Sequence, residues 1–77
     1  MCITIRLITE DDIIDFVNLT RTYESPIDLV KYHHCVDAKS IMGVIALGVY
    51  EDVDVSLITA NEDDMVRFHK DMERFRV

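Results

Sequence analysis

Few side chains in this 77-residue chain could do chemistry. Ser40 follows Lys39 and opens an apolar stretch, Ile41-Met42-Gly43-Val44-Ile45-Ala46-Leu47, that ends at Gly48. A hydroxyl in that place can cap a helix, because its oxygen accepts one of the backbone N–H groups left without a helical partner. The same hydroxyl can be phosphorylated, since a phosphoserine at a helix start gains from the dipole, with Lys39 as a positive neighbour and Asp37 opposing. Thr9 is followed by three acids, Glu10, Asp11 and Asp12. Thr9 and Asp12 have the spacing of a capping box, and acids in a first turn suit the positive end of the helix dipole.

The remaining candidates are sparse. His33 and His34 are adjacent, which on a strand sends their side chains to opposite faces, and in a turn leaves them without a third ligand. His69 sits beside an apolar stripe. Cys2 and Cys35 have no Cys-x-x-Cys spacing, so they are expected to be reduced and packed. No nucleophile is paired with a base, no glycine-rich phosphate loop is present, and no metal cluster or cofactor motif is visible. No catalytic residue and no metal site are expected.

The elements that must hold these residues follow from periodicity. Residues 2–8 alternate and are β-branched, which predicts a strand. Thr9 then caps a helix to about residue 23, with Ile13, Phe16, Val17, Thr20 and Tyr23 on one face. Pro26 ends that region, because the residue before proline is pushed to extended conformations. Residues 27–32 and 35–38 are predicted as two strands joined by a turn at His33-His34. The Ser40 helix is next and closes at Gly48, where glycine enters the left-handed region without a Cβ penalty. After the loop Tyr50-Glu51-Asp52, residues 53–58 give a fourth strand. Asn61 caps a last helix whose Met65, Phe68, Met72 and Phe75 form an apolar stripe. The order βαββαβα in so short a chain implies an α+β fold of two layers, helices on one face of an antiparallel sheet.

The net charge is −7, with acid spread along the chain and no basic cluster. Nucleic acid and anionic membrane surfaces are therefore excluded as partners. No apolar run reaches the roughly 20 residues a membrane span needs. No apolar signal segment is visible in the first seven residues, so the cytoplasm is the expected compartment.

The run Lys39-Ser40-Ile41-Met42-Gly43-Val44, with Leu47-Gly48-Val49, resembles the regulatory-serine signature of the phosphocarrier protein HPr family of the bacterial sugar phosphotransferase system. The resemblance extends in element order over residues 1–77 as one domain, and it implies the sheet order 1-4-2-3. It also implies a histidine between the first strand and first helix, followed by arginine and proline, which takes phosphate from phosphoenolpyruvate by way of enzyme I. Counted back from Lys39 without gaps, Thr9 stands in the histidine's place, Asp11 in the arginine's and Asp12 in the proline's. Residues 1–32 contain no histidine. Carboxylates at Glu10, Asp11 and Asp12 would each oppose an incoming phosphate by on the order of 1 kcal/mol at 4–6 Å.

What the resemblance leaves intact is Ser40, the target of an HPr kinase in relatives whose modified form binds a transcriptional regulator. It also leaves Lys39, Ile41, Met42 and Ile45, which match positions where relatives meet other proteins. Two readings of the apolar trio stand side by side: an exposed docking surface, or core. The expectation is a regulatory or protein-binding variant with no enzyme activity. The alternatives are a phosphocarrier using a non-standard residue, and a ligand-binding or enzymatic domain reusing the fold.

Overall fold

The computed structural model describes residues 1–48 and 50–77. Val49, the last residue of the signature stretch, lies outside them. The elements are β1 (Cys2–Ile5), α1 (Glu10–Thr20), β2 (Ile27–Lys31), β3 (His34–Asp37), α2 (Ile41–Leu47), β4 (Val53–Leu57) and α3 (Glu62–Met72), which runs into a 3₁₀ turn at Glu73–Phe75. The four strands form one antiparallel sheet in the order β1-β4-β2-β3, as the resemblance implies.

The sheet has one dry face and one wet face, because successive strand residues point to opposite sides. Ile3, Val55, Leu29 and Val36 lie side by side across the four strands and turn toward the helices. The next row, Thr4, Asp54, Val30 and Cys35, turns away from them; Thr4 donates from its hydroxyl to the Asp54 carboxylate at 2.7 Å. Against the dry face pack Ile13, Phe16 and Val17 of α1, Val44 of α2, and Phe68 and Met72 of α3. Two edge-to-face aromatic pairs tie the layer together, Phe16 with Phe75 (centroids 5.7 Å apart) and Tyr23 with Phe68 (6.0 Å).

The C-terminal segment is held beside β1, and Met1 is held to Leu57 of β4. The Arg6 N–H donates to the Phe75 carbonyl at 2.9 Å, and Ile5 bridges Arg76, so this sheet edge is covered. This is why β1 stops at Ile5 and not at residue 8: from Arg6 on, the backbone turns to the C-terminal segment. Helix α1 stops at Thr20, short of the residue 23 that the stripe suggests. Tyr23 is still buried, but it is delivered by a turn in which the Thr22 and Tyr23 N–H groups donate to the Leu19 and Thr20 carbonyls.

The β2–β3 hairpin also differs from expectation. The turn is Tyr32-His33, not His33-His34, and His34 opens β3. Tyr32 has φ +55, a left-handed conformation uncommon for a residue with a Cβ. Its side chain is exposed, so little packing offsets the strain. Tyr32→Gly is expected to stabilise the fold by about 1 kcal/mol, read as an upward shift in the urea midpoint.

Tyr23 has a further consequence. Its hydroxyl donates to the Asp71 carboxylate at 2.7 Å, and the Arg67 guanidinium stacks over its ring at 4.1 Å. Burial and the Asp71 carboxylate both hold the phenol well above its ordinary value. A proton bound more tightly in the folded state than in the unfolded one means stability that is lost as pH rises. Tyr23's contribution to the unfolding free energy should therefore be constant below pH ~10 and fall above it. Tyr23→Phe should lose about 1 kcal/mol at neutral pH and flatten that alkaline decline; denaturant titrations at neutral and alkaline pH measure both.

Candidate functional site

The turn between β1 and α1 folds as its capping residues dictate. Thr9 is extended at the N-cap, and its hydroxyl accepts the Asp12 N–H at 3.1 Å. The Asp12 carboxylate reaches back and accepts two backbone N–H groups, from Thr9 at 3.3 Å and from Ile8 at 3.2 Å. The amides at the start of this helix, which could cradle a free anion, are thus partly answered by a side chain of the helix itself. Glu10 and Asp11 project from the same turn and are exposed. The nearest arginine in sequence, Arg6, is bound to Asp52, Nε to carboxylate at 2.8 Å.

The second region begins at Lys39-Ser40. Ser40 caps α2, its hydroxyl accepting the Gly43 N–H at 3.3 Å, and the helix ends at Gly48 with φ +77, both as expected from sequence. Lys39 is placed differently from what its role as a positive neighbour of the serine suggests. Its ammonium donates to the Tyr23 carbonyl at 2.6 Å and is half-buried. Arg21, at the end of α1, donates from Nε to the Lys39 carbonyl at 3.0 Å. Lys31 holds the other end of α2, donating to the Gly48 carbonyl at 2.8 Å and pairing with Glu51 at 3.0 Å. A seven-residue helix is too short to persist alone, so these end contacts and the buried Val44 fix it.

The apolar trio divides. Ile41 is half-buried and packs on the core, whereas Met42 is 75% exposed and Ile45 56% exposed. The reading in which all three are core is therefore excluded. Between α1 and α2 runs a groove of about 300 Å³ lined by Glu10, Ile13, Ile14, Ile41, Ile45 and Tyr50. Ile14 and Tyr50 were not expected among its walls. Ile14 follows Ile13 directly, so on a helix it stands about 100° away from the buried stripe and must emerge on a flank. That offset is the available sequence signal.

Cys2 and Cys35 are both free thiols, as expected, but both are exposed and not packed. Local desolvation and the Asp28 carboxylate push the Cys35 thiol up, which reduces its thiolate fraction. His33, His34 and His69 are all exposed. Among the described residues no group of His, Cys, Asp and Glu could hold a metal, and no helix is long and apolar enough to cross a membrane.

The family model for the PTS HPr component phosphorylation site matches residues 13–73. The chain belongs to the HPr family. A crystal structure of HPr-C-His from Thermoanaerobacter tengcongensis is similar to it throughout, with a TM-score of 0.75 and 26% identity over 94% of this chain and 89% of that one. No curated protein sequence matches the chain. HPr proteins are phosphocarriers of the phosphotransferase system, not catalysts in themselves, and they interact with other proteins of that system. In HPr terms, the turn described above and the α1–α2 groove are neighbours: Glu10 belongs to the first and lines the second.

Proposed function

We propose that this HPr-family protein, a single domain over its 77 residues, does not carry phosphate on the β1–α1 turn and works by binding other proteins. One observation carries the reading: the Asp12 carboxylate occupies the backbone amides of Ile8 and Thr9 at the mouth of α1. A phospho-imidazole needs free donors and a guanidinium to offset its charge. Here two of the donors at the turn, the Ile8 and Thr9 amides, face a resident anion; by the family resemblance Asp11 stands in the arginine's place, and Thr9 has no imidazole to modify.

The deciding experiment is incubation with phosphoenolpyruvate and enzyme I, followed by the intact mass. The mass is expected to stay unchanged; a gain of one phosphoryl group overturns the reading.

The groove and exposed Met42 and Ile45 supply the binding surface, and Ser40 supplies a regulatory hydroxyl beside it. Phosphorylation there would trade a neutral cap for a dianion at the start of α2, next to the apolar side chains a partner meets. Expected with ATP and an HPr kinase is one phosphate on the protein and none on Ser40→Ala.

A further inference from the structure

The charge at the Glu10 end of the α1–α2 groove is one-sided. Helix α2 contributes no charged side chain, and the first turn of α1 contributes Glu10, Asp11 and Asp12. Asp12 is engaged in its capping bonds, and Asp15, Glu51 and Asp52 are paired with Arg74, Lys31 and Arg6. Among the described residues Glu10 and Asp11 make no ion pair. Of the basic residues nearest the groove in sequence, Arg6 is paired with Asp52, the half-buried Lys39 donates to the Tyr23 carbonyl, and the exposed Arg21, at the far end of α1 from Glu10, donates to the Lys39 carbonyl. An apolar groove with Ile14 and Ile45 exposed in its walls therefore meets negative charge without an ion-pair partner at the Glu10 end.

Resting on the docking reading above, we propose that the groove receives a protein partner with a cationic rim. The partner inserts an apolar side chain between Ile14 and Ile45 and sets arginine or lysine against Glu10 and Asp11. The apolar contact supplies most of the affinity, and the charges select the partner and speed its arrival, so the complex weakens as salt rises. An acidic partner meets the same two carboxylates as repulsion, which is how the surface discriminates.

The test is selection of random peptides displayed on phage against the intact protein, with counter-screening on Ile45→Asp. Ile45 is exposed, so that variant keeps the core, which its melting curve verifies. Expected are clones that lose binding on Ile45→Asp, carry an apolar residue flanked by Arg or Lys, and bind about tenfold more weakly to the Glu10→Lys/Asp11→Lys double variant at low salt. Both of those positions lie outside the capping bonds. Clones that need Ile45 but carry neutral or acidic flanks overturn the cationic rim and leave the groove as a docking site. Clones indifferent to Ile45→Asp overturn both.

Discussion

Phe68→Ala should cost 3–5 kcal/mol, measured by urea unfolding of the pure protein. Phe68 is fully buried, stands edge-to-face with Tyr23, and belongs to the layer of α3 side chains that covers the sheet. Truncation removes the apolar area and leaves a cavity that Tyr23 cannot fill, because its hydroxyl is anchored to Asp71. Small domains hold only 5–15 kcal/mol in total, and a 77-residue chain belongs at the low end. The variant is therefore expected to be largely unfolded at physiological temperature. Phe68→Leu, which keeps most of the volume, should cost less than half as much and provides the comparison.

Thr20→Val is expected to cost about 2 kcal/mol, from a change that leaves the shape nearly intact. Thr20 is the one buried polar residue among the described residues. Its hydroxyl lies 2.8 Å from the Val17 carbonyl and 3.1 Å from the Ala38 carbonyl, and shares its proton between them. Valine leaves Val17 with its bond from the Arg21 N–H, but it leaves Ala38 with no donor among the described residues. Ala38 is buried directly before Lys39-Ser40. The loss should therefore also loosen the entry to α2, seen as faster amide exchange at Gly43 and Val44 than in Thr20→Ser, which keeps the hydroxyl.

Periodicity and punctuation made most of the fold readable. The Thr9, Ser40 and Asn61 caps and the Gly48 stop all lie where their chemistry requires, because each answers to atoms within three or four residues. The stripe Ile13-Phe16-Val17-Thr20 is buried, and of Met65, Phe68, Met72 and Phe75 all are buried but Met65, which is half-buried. Less legible was whatever depends on residues far apart. The early end of β1 is set by Phe75 and Arg76, and no local signal announces that pairing. The strand order came from family resemblance. The hairpin slipped by one residue because an exposed tyrosine adopts the positive φ that glycine or asparagine would advertise. At the candidate site, the Asp12 capping bond could be read from spacing. The engagement of Lys39 with Tyr23, and the part played by Ile14 and Tyr50, needed the packing of α1 beside α2.

A helix whose open amides wait for phosphate borrows stability from the buffer: each mole of anion bound to the native state raises its melting temperature. The carboxylate of Asp12 makes that loan unnecessary at Ile8 and Thr9. The folded protein carries its own counter-anion in covalent attachment, at unit stoichiometry. At millimolar concentrations, where binding to a site would show and general salting-out would not, phosphate should leave its thermal midpoint where chloride at matched ionic strength does.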